Sequence, residues 1–318
     1  MQKANDVLAL YQQRGFRGLP LERVYRQLFN PEWYLRAYGK IYRNAGATTK
    51  GVTEDTVDSM SLKRIQQLIE LLRHEKFCWT PLRREYIPKS KGGTRPLGIP
   101  TWTNKLLQEV MRTLLEAYYE PQFRDSSHGF RPQRGCHTAL YRVRTWLGTI
   151  WFIEGDISKC FDRMDRSILL DILREKIHDE RFLNLVANLL KAGYLECGKV
   201  YDTLSGTPQG GIISPLLANI YLDRLDRYVE DELIPAYTRG KQRRSNPLYR
   251  RLQRQLRVAR EAGDWRRIDE LERLRRQIPS GVVRDEGFRR LKYIRYADDC
   301  APRRRRGRLQ ERPQCHAA

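Results

Sequence analysis

Asp156 closes an apolar run, "WFIEGD", and Asp298-Asp299 close another, "YIRYADD". Carboxylates brought together from separate strands can hold two divalent cations about 3.5–4 Å apart, one activating an attacking oxygen and the other stabilising a leaving one; that is phosphoryl-transfer chemistry. Successive side chains of a regular strand point to opposite faces, so adjacent acids can serve one site only where the chain turns. The pattern therefore predicts that YADD is the tip of a hairpin. Tyr293, Ile294 and Tyr296 would form its incoming strand, packed beside the strand that holds Asp156. Asp is also common at turns for local hydrogen bonding, so the pair alone does not decide the matter.

The elements that must position these acids can be read from periodicity. Residues 1–80 read as mainly helical, with apolar residues at helical spacing in "LKRIQQLIELLRHEKF" and a turn-rich break at "NAGATTKG". Short apolar runs split by Pro and Gly-Gly in "REYIPKSKGGTRPLGIPTW" predict a hairpin, followed by a helix from about Asn104 to Tyr119. Residues 151–157 read as a strand, and helical periodicity begins after Asp165, which suits an N-cap. Ser214-Pro215 opens a further helix to about Leu233. Residues 237–279 read as two basic helices joined at Gly263-Asp264, a helical hairpin inserted between strands.

Composition narrows the class. The 318-residue chain is long enough for two domains and carries 60 Lys+Arg against 38 Asp+Glu, a net charge of +22 and a pI near 10.0. An excess of that size points to a polyanionic partner, nucleic acid first. Six cysteines show no CxxC pair and five histidines complete no zinc spacing, which fits reduced thiols in a cytoplasmic setting. No run approaches 18 apolar residues, so neither a membrane span nor a signal peptide is expected.

Five blocks, "IPKSKGGTRPLGIP", "SHGFRPQRGCHTAL", "EGDISKCFDRMD", "GTPQGGIISPLLANIYLD" and "YIRYADD", occur in an order and rough spacing that resembles the reverse transcriptases encoded by group II introns, the reverse transcriptase/maturase family. "NAGATTKGVTEDTV" resembles that family's N-terminal extension. The resemblance implies an α+β right-hand polymerase with fingers and a palm of antiparallel strands backed by helices. It implies RNA-templated DNA synthesis with two Mg²⁺ ions, using an intron RNA template, a DNA primer and dNTPs. Asp156, Asp298 and Asp299 match the catalytic acids, and the carbonyl of Ile157 a further metal ligand. Phe161 matches the aromatic gate under the sugar, where a ring leaves no room for a 2′-hydroxyl. Lys89 and Arg95 match the triphosphate-binding cations of the fingers hairpin, with a Gly-Gly turn between them that lets both fold over one polyphosphate. Gln209 matches a residue beside the incoming nucleotide. Arg131 and Arg134 are candidates for template-backbone contact or for a purely structural corner, and the arginines of 237–279, interleaved with Tyr249 and Trp265, for RNA contact or for a solvated helical hairpin laced by intrahelical Glu-Arg pairs.

The implied domains are 1–150 (extension and fingers), 151–236 (first part of the palm), 237–279 (basic insertion), 280–301 (catalytic hairpin) and 302–318 (an Arg-rich tail). Family members continue past the second aspartate with an apolar strand. Here Pro302 and Arg303 to Arg306 follow instead, the expected mark of a reading frame shifted or truncated before the thumb. A noncatalytic RNA-binding remnant is the alternative, and an RNA-templated RNA polymerase, which would want a smaller gate than Phe161, is a third reading.

Overall fold

The structure is a computed structural model describing residues 3–44, 46–88, 92–146, 149, 151–158, 160–201, 206 and 210–300. Lys89, Gln209 and the tail 302–318 lie outside the described residues. Contacts divide the chain into two units. One joins Met1–Val143, Gly155–Asp226 and Ile294–Cys300, and the other contains Arg144–Glu154 and Arg227–Tyr293. Asp156 and the YADD hairpin, far apart in sequence, thus belong to one unit.

The first unit is built on capped amphipathic helices. Ser61 accepts the Arg64 N–H to start Leu62–Arg73, whose Ile65, Leu68, Ile69 and Leu72 form one buried stripe. Asn30 caps Pro31–Ile41, with proline at the first helical position. Trp102–Tyr119, capped by Thr101, is buried around most of its girth, as befits a helix at the centre of the core. Gly15, in the helix Ala4–Phe16, lets it lie directly on this central helix, since a methyl group there would overlap the Tyr118 carbonyl oxygen. The core runs on through Leu169, Leu173, Phe182, Leu189 and Leu217 of the helices Arg166–Arg174, Glu180–Lys191 and Ser214–Arg227. Each fully buried side chain of this kind stabilises the fold by about 1.5–3 kcal/mol. Asp165 caps the first of the three through the N–H groups of Ser167 and Ile168, and the third opens at Ser214, both as the sequence predicts.

The described residues of this unit also form a two-stranded parallel sheet, Leu21–Glu22 with Ile177–His178, and two four-stranded sheets. In one, Leu82–Pro88 pairs antiparallel with Thr94–Ile99 across the expected hairpin, and parallel with Tyr194–Glu196, which pairs in turn with Lys199–Tyr201. The other has the spatial order Ser127–His128, Arg295–Tyr296, Asp299–Cys300, Gly155–Asp156. Its last strand is shorter than the predicted 151–157. Cys300 pairs with Gly155, and a partner for Glu154 would fall at residue 301, outside the described residues.

In the second unit, Pro247–Glu261 and Trp265–Gln277 form the expected helical hairpin. Asn246 and Asp264 cap the two helices, and Gly263 turns between them at φ 67°. Leu256, Ala259 and Leu271 make a small core between the helices. Arg239 and Arg289 exchange backbone hydrogen bonds of 2.8 and 3.0 Å at the base of the hairpin, and buried Asp285 accepts the backbone N–H and Nε of Arg244. The helix that opens at Ser214 is followed by a π-helical stretch, Tyr228–Leu233. No helix of the described residues is long and apolar enough to cross a membrane.

Candidate active site

YADD is a two-residue turn. Tyr296 and Asp299 pair in register, leaving Ala297 and Asp298 at the tip, and of these two only Ala297 has a positive φ, 54°. That backbone is strained for a residue with a Cβ, so its surroundings must hold it. They do so from two sides. The Ala297 N–H donates to the His128 carbonyl at 2.9 Å, and its own carbonyl accepts from Arg295 Nη1 at 2.7 Å. Gly129 makes room for the turn, because a Cβ there would lie 2.9 Å from the Ala297 nitrogen.

Asp299 is also the register partner of Asp156 on the neighbouring antiparallel strand. Directly opposed residues share a face of the sheet, with Cβ atoms about 4.5–5.5 Å apart, and like charges so placed repel. Both acids are exposed, and neither is needed to fill a core. A cation between them would turn that repulsion into attraction. Asp298 is half-buried in a recess that it lines with Phe130, Phe161, Asn219 and Ala297. Its carbonyl accepts the Ile157 N–H at 3.3 Å, while the Ile157 carbonyl accepts the Cys160 N–H at 3.1 Å and keeps a second lone pair. Among the described residues no three His, Cys, Asp or Glu side chains make a ready-made metal cage. A pair of carboxylates completed by substrate phosphates is the usual way in which Mg²⁺ is held, and an all-oxygen set suits a hard cation.

One expectation is corrected here. The strand beside Asp156 is the returning one, Asp299–Cys300, and the incoming strand is only Arg295–Tyr296, without Tyr293 and Ile294. The far edge of the incoming strand is already taken by Ser127–His128, in parallel, so only the returning strand is left to meet Asp156.

Beneath the turn lies a residue that the sequence reading missed. Arg295 and Asp226 are both fully buried. Arg295 donates to both Asp226 carboxylate oxygens at 2.9 and 2.6 Å, to Asn219 Oδ1 at 3.0 Å, to Ser127 Oγ at 2.7 Å and to the Ala297 carbonyl. Asn219 in turn donates to the Gly129 carbonyl at 3.0 Å. A buried guanidinium satisfied this fully is a rigid fork that ties the turn, the Ser127–His128 strand and the helix Ser214–Arg227 together. The available signal was an Arg in an apolar strand, facing an Asp on a helix that otherwise reads as amphipathic.

The remaining residues fall around this framework. Phe161, in the short helix Cys160–Arg163, packs against the core and meets Phe130 edge-on, with centroids 6.4 Å apart. Gly206 donates to the Met164 carbonyl at 2.8 Å, at a place where a Cβ would overlap the Phe161 carbonyl. Arg95 is exposed on Thr94–Ile99, opposite Ile87 and close to the Gly92-Gly93 turn. Gly210 backs onto the Gly98 carbonyl of that strand, at a φ of 102°, and Gln108 Oε1 accepts the Ile212 N–H at 2.8 Å. Arg131 is no template contact, because its buried side chain is taken up by Glu120 and the carbonyls of Arg124 and Ser127. Arg134 pairs with Asp125 at 2.6 Å. Burial, reinforced by Arg134, Arg142 and Arg131, pushes the pKa of His128 down to about 4.

Residues 87–256 match the family model described as reverse transcriptase (RNA-dependent DNA polymerase). The chain is 44% identical over 286 residues to the group II intron-encoded protein LtrA of Lactococcus lactis subsp. cremoris, covering 87% of this chain and 48% of that protein. It is 40% identical over 291 residues to an uncharacterized 91 kDa protein in the cob intron of Schizosaccharomyces pombe, covering 90% of this chain and 36% of that protein. A putative COX1/OXI3 intron 1 protein of Saccharomyces cerevisiae is 37% identical over 272 residues, covering 85% and 32% of the two chains. The chain thus spans about half the length, or less, of these curated relatives. With the match extending over more than half of its residues, from the strand before Lys89 into the basic helical hairpin, the chain belongs to the reverse transcriptase family.

Proposed function

We propose that this chain carries the fingers and palm of a group II intron reverse transcriptase, which copies intron RNA into DNA from a DNA primer and binds that RNA in support of splicing. The observation that carries the reading is the cross-strand pair Asp156–Asp299 on an exposed sheet face, with Asp298 at the turn beside it. Two opposed carboxylates weaken a sheet unless a cation is meant to lie there. Asp156, Asp298, Asp299 and the Ile157 carbonyl would hold Mg²⁺, whose chemistry is to activate the primer 3′-hydroxyl and stabilise the leaving pyrophosphate. Lys89 and Arg95 clamp the triphosphate, Gln209 lies against the incoming nucleotide, and Phe161 excludes the 2′-hydroxyl. The fingers take in roughly residues 1–150, and the palm is interrupted by the basic hairpin at 237–279. The excess of 22 positive charges supplies the affinity for RNA.

Two measurements test this. Mn²⁺, a paramagnetic stand-in, should bind the wild-type chain and lose affinity when Asp156 and Asp299 are both changed to Asn. Primer extension on an RNA template should fall to background in Asp298→Asn. It is expected to be slow even in the wild-type chain, because the Pro- and Arg-rich segment after Cys300 does not read as an apolar strand, and a small misplacement of catalytic groups can cost about a hundredfold in rate. Mn²⁺ affinity and extension that both ignore these substitutions would refute the assignment.

A further inference from the structure

We propose that Phe130 is a positioning residue for Phe161, bracing the gate ring and so setting how closely a nucleotide sugar can approach; this rests on the reading of Phe161 as the gate. Phe130 is an oddity by two independent measures. The residue is 56% exposed, so it adds little to the core, and its backbone sits at a φ of 55°, where a residue with a Cβ is strained. A turn that needed only this conformation would be better served by glycine.

The surroundings fix that strained backbone in place. On one side, Gly129 has its carbonyl held by Asn219 Nδ2 at 3.0 Å and its N–H bonded to the Arg134 carbonyl at 2.8 Å. On the other, Arg131 is anchored by Glu120 and by the Arg124 and Ser127 carbonyls. Held between these anchors, the Phe130 ring points at Phe161, with planes inclined at 76° and centroids 6.4 Å apart, the favoured edge-to-face arrangement. The core supports Phe161 from elsewhere on its surface. Both rings line the recess that also holds Asp298 and Ala297. Phe161 therefore has a wall of core behind it and, among the described residues, the Phe130 ring as an aromatic brace beside the catalytic turn. Without the brace, the ring gains freedom where the sugar must pass.

The test is discrimination between dATP and ATP, read as the ratio of their incorporation on an RNA template. Equilibrium binding of the two nucleotides to the chain on a dideoxy-terminated primer is the companion measurement that needs no turnover. Phe161→Ala should collapse the ratio, and Phe130→Ala should lower it roughly three- to tenfold, the scale of one edge-to-face contact. Phe130→Tyr, which keeps the ring, should restore it. Phe130→Gly separates positioning from mere structure: relief of the strained φ should leave the melting temperature level or higher while discrimination falls, whereas a structural role predicts a lower melting temperature. An unchanged ratio in Phe130→Ala beside a collapsed one in Phe161→Ala overturns this inference and leaves the gate standing. An unchanged ratio in Phe161→Ala, or no discrimination by the wild-type chain, overturns both.

Discussion

Arg295 lies fully buried beneath the YADD turn with its guanidinium committed to five acceptors, whereas Arg257, Arg260, Arg267 and Arg273 of the helical hairpin stand in water, each paired with an acid on its own or the facing helix. One residue type does two kinds of work. A buried, fully bonded charge fixes geometry, because losing either partner strands the other in a medium that cannot solvate it. A hydrated ion pair on a helix adds little stability, about 0–1 kcal/mol, and its use is the field it projects.

The contrast is broken most severely at its buried end. Arg295→Met should remove about 3–5 kcal/mol of stability in urea unfolding, since the buried Asp226 carboxylate loses the guanidinium that bonds both of its oxygens. Replacing Asp226 by Leu in the same chain should recover much of that loss; a single substitution that costs under about 1 kcal/mol would show that the network is ornamental.

Next come the exposed acids of the same unit. Asp299→Asn should reduce primer extension at least a hundredfold, about 2.7 kcal/mol in the barrier. The same change should leave stability level or raise it by a few tenths of a kcal/mol, as a cross-strand repulsion is removed. A substitution that abolished activity only by unfolding the protein would contradict this.

His128 sharpens the comparison through pH. Its pKa falls from the ordinary 6.5 to about 4 in the folded chain, because burial and then three nearby arginines disfavour the imidazolium. Between those values the unfolded chain binds the proton and the native chain does not, so this stabilisation is complete above about pH 6.5 and is lost as pH falls toward 4. Thermal melts from pH 7 to 4 should show the decline, and His128→Asn should flatten it. An equal slope in the variant would exclude His128 as the cause.

The smallest effect belongs to the exposed end. Arg257→Ala should change stability by no more than about 0.5 kcal/mol, while lowering the salt dependence of RNA binding by about one unit of slope. Binding that is flat across salt would remove the electrostatic basis of the basic unit altogether.

What could be read in the sequence follows the range of the interaction. Asp165 was legible as a cap, and Gly263-Asp264 as the joint between two helices, because each acts within a few residues of itself. The YADD turn was legible too, since adjacent acids at one site force a reversal of the chain. Pairing across long separations was not. Nothing local states that Asp156 meets the outgoing rather than the incoming strand, because that depends on Ser127–His128 holding the other edge. Arg131 read as a nucleic-acid contact for the same reason: its Glu120 and carbonyl partners are gathered by the fold. Phe130 carried no signal, since a positive φ at phenylalanine has no sequence mark. The gate, the triphosphate cations and the nucleotide-side glutamine came only from resemblance, and two of those residues, Lys89 and Gln209, lie outside the described ones.

The link from Arg295 to Ser127 spans 168 residues, and that separation bears on how the protein is born. Local helices can form as they leave the ribosome, but this sheet cannot close until its third segment in space, the last in sequence, has been made. At about 5–20 residues per second the Ser127 strand waits on the order of ten seconds or more for its neighbour. Throughout that interval the strand's edge lacks its later neighbour, and the Asn219–Asp226 face of the helix, once made, awaits the Arg295 guanidinium. A chain so wired depends on slow, nonlocal closure. Its vulnerability to misfolding during synthesis should therefore peak just before YADD emerges, and fall abruptly once Arg295 docks.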